Sequence, residues 1–340
     1  MQILKTTIDA DGIALLSIDN PASTMNLLTP GFFAEFADAV ARIAADPGVK
    51  GGIVASAKPG LFTAGVDVTT LAAALDHGVT LQDGLELSRS VSGPLRRVET
   101  CGKPIVCALN GLALGGGVEL ALACHHRVMA DDALIGLPEI KLGLLPGGGT
   151  TQRLLRLLGI EKAASVLLSG RQIQAAEALK IGLVHDVRKA DDVVAAAKAW
   201  LLAAPQAVQP WDEKGFRVPG GAGTGAPDAF RNFTVGTTLA AHNTQRNEPA
   251  PLAMLSCLFE GAQVPFDVGL SIEAKYFASL YAGAVARNLM CTVFVNKRAA
   301  DRLERRPPGV PKSKVGPVGI LGAGMRGAGI AFLSRAGGME

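Results

Sequence analysis

Two acidic residues lie close to glycine in the middle of the sequence. Glu119 follows the triplet Gly115–Gly117, and Glu139 follows Pro138 farther along the chain. Glycine lets the backbone approach a ligand closely, and the helix predicted from Val118 to Ala123 offers unpaired N–H groups and a positive dipole end. A short helix and the strand-like stretch after it cover similar distances, so the chain can return Glu139 to the side of Glu119. Two carboxyl groups facing an N–H donor can accept a proton, give a proton and stabilise negative charge.

Each of these features also has an ordinary structural interpretation. Glycine triplets form tight turns, and a glutamate in the first turn of a helix often only complements the helix dipole. The co-occurrence of the two features favours a reaction centre. The upstream segment Leu61–Asp67 (LFTAGVD) supports it, because a turn at Gly65 would supply a second N–H.

Three separated blocks of the sequence resemble the enoyl-CoA hydratase/isomerase, or crotonase, family. They are FTAGVD at Phe62–Asp67, NGLALGGGVELAL at Asn110–Leu122 and LPEIKLGLLPGGGTTQR at Leu137–Arg153. They occur in the family's order, and the resemblance covers roughly Met1–Leu201. It implies an α/β fold in which ββα units repeat as a spiral. This agrees with the alternation of predicted strands, such as Gly51–Ser56, with helices.

The resemblance also implies roles for individual residues. Glu119 and Glu139 correspond to the family's two catalytic acids, and the backbone N–H groups of Val66 and Gly116 correspond to its oxyanion hole. The implied reaction is hydration of a trans-2-enoyl-CoA thioester to 3-hydroxyacyl-CoA in fatty acid β-oxidation, which needs no cofactor. Two alternatives stay open: a Δ3-Δ2 enoyl-CoA isomerase, and a non-catalytic crotonase-like scaffold that binds acyl-CoA or another subunit.

A second motif lies near the end of the sequence. In Val318–Ala331 (VGILGAGMRGAGIA), a predicted strand leads into Gly322-x-Gly324-x-x-Gly327 and then into a predicted helix, which is the context of a dinucleotide-binding turn. This segment resembles the first β-turn-α of the Rossmann fold in 3-hydroxyacyl-CoA dehydrogenases, which use NAD. We expect a dehydrogenase module that is truncated and inactive.

The order of these parts is similar to that of bacterial multifunctional fatty-oxidation α-subunits. It predicts a crotonase-like domain over 1–204, a linker over 205–317 and the dehydrogenase start over 318–340. The linker contains a Pro/Gly-rich loop at Pro205–Asp228, a helical part and a basic connector at Arg302–Pro317. The implied partners are a thiolase β-subunit or a second copy of the chain.

Composition excludes several other classes of function. The net charge of +3 over 340 residues is spread out, so no basic stripe suits nucleic acid. The five cysteines have no CxxC spacing, so neither zinc nor disulfides are expected. No signal peptide or membrane span is visible, and a cytoplasmic protein is expected.

Several weaker candidates surround the acid pair. Asp67 is expected to cap or brace the turn at Gly65, and the adjacent pair His125 and His126 is interpreted as structural. Lys141 and Arg153 could approach a coenzyme A phosphate, although nothing in the sequence places them there.

Overall fold

Strands and helices alternate through most of the chain, as the sequence predicts. The structure is a computed structural model that describes residues 3–310 and 316–338. The strands are β1 Leu4–Ile8, β2 Ile13–Ile18, β3 Gly51–Ser56, β4 Gly60–Thr63, β5 Ile105–Leu109, β6 Gly111–Leu114, β7 His126–Ala130, β8 Leu134–Gly136, β9 Gln172–Gln174 and β10 Asp186–Arg188.

The α-helices are α1 Pro30–Ala45, α2 Val68–Asp76, α3 Leu81–Glu99, α4 Gly116–Ala123, α5 Thr150–Leu158, α6 Ile160–Ser169, α7 Ala175–Ile181, α8 Val193–Leu202, α9 Pro227–Asn243, α10 Ala250–Gly261, α11 Phe266–Tyr281, α12 Ala284–Leu289, α13 Lys297–Asp301 and α14 Met325–Ala336. Short 3₁₀ turns lie at Pro138–Leu142, Ala190–Asp192 and Pro210–Asp212, and a π-helical stretch lies at Met290–Asn296.

The strands form two sheets, and the chain passes repeatedly from one to the other. The larger sheet has the order β1-β2-β3-β5-β7-β10, and the smaller has the order β4-β6-β8-β9. Pairing is parallel except between β1 and β2 and between β8 and β9. Three successive strand pairs, β3–β4, β5–β6 and β7–β8, each place one strand in each sheet before a helix follows. The repeated ββα spiral expected from the resemblance is therefore confirmed.

The central strands are buried because helices and the second sheet cover both faces of the larger sheet. Every residue of β3 and of β5 is buried, which suits the uninterrupted apolar sequences GGIVAS and IVCAL. Parallel strands end at one edge of their sheet, and there the chain passes from β6 into the start of α4 through the glycine triplet Gly115–Gly117. The fold thus brings the predicted chemical residues to one place.

Helices α10 and α11 pack against the first part of the chain. Residues Met1–Val295 form one compact unit and Asn296–Glu340 a second. The division at residue 204 remains a sequence prediction. In the structure the helices beyond it, α11 above all, lie against α3, α5 and α10.

In the second unit, the prediction of a strand at Val318 is wrong. Residues 316–322 have no regular secondary structure, whereas α14 begins at Met325, just after the second glycine of the motif. A strand needs a neighbour for its N–H and C=O groups, and no strand of the described chain pairs with this stretch. Residues 311–315 of the predicted basic connector lie outside the described residues.

Within 3–310 and 316–338, no single helix is long and apolar enough to cross a membrane. The pair formed by α11 and Ala284–Asp301, bent by 62°, reaches the required length and apolarity only together.

Asn26 ties the ends of three strands together. Its side-chain amide donates to the carbonyl oxygens of Ile18 and Phe62, each at 3.1 Å, and to Ser56 Oγ at 2.9 Å. Asn26 is fully buried, and its own carbonyl accepts from the Ala64 N–H at 2.9 Å. Asn26 therefore fixes the approach to the turn at Gly65.

We predict that Asn26→Ala lowers the free energy of unfolding by about 2–3 kcal/mol, because it removes the buried hydrogen bonds to the Ile18 and Phe62 carbonyl oxygens and to Ser56 Oγ. Urea unfolding followed by circular dichroism measures this change. Ser23→Ala in the same loop is the control, with an expected loss below about 0.5 kcal/mol. Equal stability of the Asn26 variant and the wild type would contradict this role.

Candidate active site

Glu119 projects from the first turn of α4 into the interior. The residue is 4% exposed, and its Oε1 accepts a hydrogen bond of 2.8 Å from the Gly148 N–H. Burial raises the pKa of Glu119, while the Gly148 N–H and the nearby charge of Arg153 act in the opposite direction. The carboxylate form of Glu119 thus has a fixed donor and a neighbouring cation.

The second glycine triplet, Gly147–Gly149, supplies that donor because its backbone lies against the acid. A Cβ built on Gly148 would lie 2.6 Å from Glu119 Oε2. Gly149 has φ +100°, a conformation that favours glycine. The Gly148 carbonyl accepts from Arg153 Nη1 at 2.6 Å, so the turn is held on the side away from Glu119.

Glu139 lies in the 3₁₀ turn Pro138–Leu142 and is partly buried. Its Oε2 is enclosed and has no hydrogen-bond partner among the residues that the structure describes. Burial, and next the charge of Glu119, raise the pKa of Glu139 to about 8. Unlike Glu119, Glu139 is in surroundings that favour its protonated form at neutral pH.

The two acids lie on either side of the bend at Gly115 and Gly116. A Cβ on Gly115 would lie 2.7 Å from Glu139 Oε1, and one on Gly116 would lie 3.9 Å from Glu119 Oε2. Gly115 itself has φ +50°. The structure therefore brings together the two glutamates that the sequence predicts as partners, and glycine provides the space between them.

The two predicted oxyanion-hole residues are also neighbours. A Cβ on Gly116 would lie 3.4 Å from Val66 Cγ2, and a Cβ on Gly65 would lie 3.5 Å from the Gly116 nitrogen. In the part of the chain that is described, neither the Val66 nor the Gly116 N–H donates a hydrogen bond. Gly116 is the first residue of α4, where N–H groups have no intrahelical acceptor. Both groups are thus available to a ligand.

Arg153 does not have the role suggested for it from the sequence. It is fully buried, and its Nε donates to Glu99 Oε1 at 2.7 Å. A buried ion pair of this kind cannot reach a coenzyme A phosphate at the surface. Arg153 instead stabilises the turn that contacts Glu119.

The other weak candidates have different outcomes. Lys141 is exposed and remains a candidate for coenzyme A. Asp67 caps α2, accepting from the Thr69 N–H at 2.9 Å. His125 accepts from the Ile105 N–H at 3.1 Å, and His126 stacks on Trp200 with ring centroids 4.5 Å apart. No cluster of three His, Cys, Asp or Glu side chains suited to a metal occurs in the described ranges.

Sequence reasoning missed two residues next to the acid pair. The N–H of Gly148 was not assigned, although the triplet containing it was part of a matched block. Glu273, on α11, is 1% exposed and accepts hydrogen bonds from the residues after Gly148. Its one sequence signal is an acid within an otherwise apolar helical stretch.

Comparisons with known proteins place this chain in a family. The profile of the enoyl-CoA hydratase/isomerase family matches residues 9–209. The chain is 38% identical over 329 residues to the fatty acid oxidation complex subunit alpha of Shewanella putrefaciens, covering 95% of this chain and 45% of that protein. It thus spans less than half the length of the curated relatives it matches.

Solved structures give the same result for the fold. A crystal structure of an enoyl-CoA hydratase from Geobacillus kaustophilus is 26% identical, with a TM-score of 0.54 over 91% of this chain and 96% of the other. DspI from Pseudomonas aeruginosa is 27% identical, with a TM-score of 0.55 over 60% of this chain and 80% of the other. Since the family profile covers more than half of the sequence, the chain belongs to the enoyl-CoA hydratase/isomerase family.

Proposed function

We propose that this chain hydrates the double bond of trans-2-enoyl-CoA thioesters to 3-hydroxyacyl-CoA, as a step of fatty acid β-oxidation. The observation that carries the proposal is the pair of enclosed carboxyl groups, Glu119 and Glu139, on either side of the bend at Gly115–Gly116. The fatty acid oxidation subunits to which the chain is similar support the pathway.

The different surroundings of the two acids assign their roles. Burial raises the pKa of Glu119, but the Gly148 N–H donor and the charge of Arg153 oppose that rise, so we assign Glu119 as the ionised group that acts as base. Glu139 has an unpartnered oxygen and a raised pKa, so it is the group that holds a proton. Environments that separate the pKa values of two like groups identify the acid and the base.

The reaction then balances with these two groups. Glu119 accepts a proton from water while the water oxygen forms a bond to C3 of the thioester. The electron pair of the double bond moves toward the thioester oxygen, and Glu139 gives its proton to C2. The N–H groups of Val66 and Gly116 stabilise the negative charge on the thioester oxygen in the enolate.

A scaffold that only binds acyl-CoA has no need for two enclosed acids. An isomerase moves one proton between carbon atoms and activates no water, so Glu139 alone would serve it. Hydration uses both acids, and we therefore favour it as the main activity. As in relatives named subunit alpha, we propose association with another subunit, and we propose a cytoplasmic location.

We predict that Glu119→Gln and Glu139→Gln each lower the rate of hydration of a short enoyl-CoA by at least roughly 100-fold, the usual effect of an acid–base group. Loss of the ultraviolet absorbance of the conjugated thioester gives the rate. Glu86→Gln, at an exposed position of α3, is the control and should retain wild-type activity. If either active-site variant is folded and fully active, that glutamate has no part in the reaction.

The same variants and the pH profile separate the two roles. The pKa of Glu139 is raised to about 8, so its proton is present below that pH and lost above it. The kcat/KM of the wild type should therefore fall as the pH rises through 8. With a 3-enoyl-CoA, Glu119→Gln should keep isomerase activity and Glu139→Gln should lose it. Isomerase activity that is lost in Glu119→Gln and kept in Glu139→Gln would exchange the roles of the two glutamates.

The oxyanion donor at Gly116 has its own test. Gly116→Pro removes the N–H at a helix position where proline is tolerated, and kcat should fall roughly 100-fold with a smaller change in KM. Gly116→Ala keeps the N–H and is the matched control, because φ at this position is not in the left-handed region. A folded proline variant with the rate of the alanine variant would place the donor elsewhere.

The NAD motif fits its cofactor only in part. Gly322 has φ +102°, and a Cβ on Gly327 would lie 1.8 Å from the Gly322 oxygen, so these glycines form the compact turn that a pyrophosphate needs. However, residues 316–338 provide neither a paired strand nor an acid for the ribose. The described residues therefore do not make an NAD site.

We predict that the 340-residue chain shows no saturable heat signal when titrated with NAD at micromolar concentrations. The control is Gly324→Val, which should give the same flat titration. A saturable signal that the Gly324 variant abolishes would show that the glycine turn binds the cofactor without a surrounding sheet.

A further inference from the structure

Helix α11 packs directly on the glycine turn that contacts Glu119. Its residues Leu270, Glu273 and Phe277 are three and four positions apart and therefore share one face. A Cβ on Gly147 would lie 2.8 Å from Phe277 Cδ2, and one on Gly149 would lie 2.8 Å from Leu270 Cδ2. The turn has no room for side chains because α11 occupies that space.

Glu273, in the centre of this face, caps the N-terminus of α5. The residue before α5 is Gly149, which has no side chain to accept the free N–H groups. Glu273 Oε1 accepts from the Gly149 N–H, and Oε2 accepts from the Thr151 N–H at 2.8 Å and from Thr151 Oγ1 at 2.5 Å. Both oxygens receive an N–H donor at the positive end of a helix, which favours the ionised carboxylate. Burial, and next the charge of Glu119, raise the pKa of Glu273 to about 7, so Glu273 carries its negative charge above neutral pH, in the range in which Glu139 titrates.

The residue between these contacts is the one that holds the catalytic base. The Gly148 N–H donates to Glu119 Oε1 at 2.8 Å. Of the two residues beside Gly148, Gly149 donates its N–H to Glu273 and Gly147 packs against Phe277. A shift of the α5 N-terminus would therefore move the Gly148 N–H away from Glu119.

We propose that Glu273 is a positioning residue for the hydration reaction, which holds the turn Gly147–Thr151 so that the Gly148 N–H points at Glu119, and whose carboxylate adds a negative charge beside the acid pair. The proposal rests on the proposed function. It extends the site to a helix beyond the residues matched by the family profile.

The electrostatic part concerns Glu139. Burial raises the pKa of Glu139 most, the charge of Glu119 comes next, and the charge of Glu273 contributes in the same direction. Loss of the Glu273 charge should therefore lower the pKa of Glu139. The charged and titratable groups that face Glu273 come from α4, α5, α10 and the 3₁₀ turn, and they are Glu119, Arg153, Cys257 and Glu139.

The experiment compares Glu273→Gln with Glu260→Gln. Glu260 is an exposed acid on α10 that pairs with the Tyr276 hydroxyl, so its variant controls for loss of a glutamate from these helices. Glutamine at 273 has one acceptor oxygen and leaves one N–H donor unpaired. We expect kcat to fall roughly tenfold with KM within about twofold, and the basic limb of kcat/KM to move down by about one pH unit. Glu260→Gln should leave kcat, KM and the basic limb of kcat/KM unchanged.

Two further measurements keep the outcome decisive. Thr151→Val removes one of the three donors to Glu273 and should show the same changes in smaller size, even if Glu273→Gln does not fold. Carboxyl carbon NMR titration measures the pKa of Glu139, whose signal is assigned by its absence in Glu139→Gln. This pKa should be lower in Glu273→Gln and in Thr151→Val than in the wild type. This readout does not depend on catalysis, so a chain without hydratase activity would refute the proposed function and still test Glu273.

Wild-type kcat, pH profile and Glu139 titration in a folded Glu273→Gln would overturn the proposal. So would the same three wild-type results in Thr151→Val if the first variant is unfolded. A fall in stability alone, with turnover and titration unchanged, would show that Glu273 only supports the fold.

Discussion

The charge on Glu119 is the constraint on which the surrounding packing depends. An isolated carboxylate in a protein interior costs several kcal/mol unless fixed donors and cations replace water. Here the Gly148 N–H is the donor and Arg153 is the cation. Arg153 Nε in turn donates a hydrogen bond of 2.7 Å to Glu99 Oε1. Because these groups are buried, displacement of Arg153 or of the Gly148 N–H would leave the Glu119 carboxylate without a group that compensates its charge.

This constraint explains why the turn Gly147–Gly149 consists of glycine. Each position meets a different neighbour: Phe277 at the first, Glu119 at the second and Arg153 at the third. Ser88 Oγ adds a hydrogen bond of 2.6 Å to the Gly147 carbonyl. A turn that contacts an acid on one side and a helix on the other has no space for a Cβ. The repeated glycine is thus a steric requirement of the site.

Local patterns were enough to predict much of the fold and the core of the site. Buried strands such as β3 and β5 are continuous apolar runs, and the glycine bend with its two glutamates is close in sequence. The contacts that complete the site are not local. Gly149 and Glu273 are 124 residues apart, and no periodicity in α11 indicates which turn it covers. The sequence could not place Arg153, because its partner Glu99 is likewise distant. The predicted strand at Val318 is wrong because a strand forms only beside a partner.

The unequal surroundings of the two acids have a consequence for the whole catalytic cycle. In the proposed reaction, one hydration leaves Glu119 protonated and Glu139 ionised, which is the reverse of the assignment made from their surroundings. Burial raises the pKa of both acids, but the Gly148 N–H and Arg153 oppose the rise at Glu119, whereas the neighbouring negative charges of Glu119 and Glu273 add to it at Glu139. The proton is therefore held more strongly by Glu139 than by Glu119. In the reverse direction, dehydration starts from that inverted state and uses the same two groups with exchanged roles. For the proposed reaction, the electrostatic asymmetry therefore favours recovery of the hydrating form after each turnover.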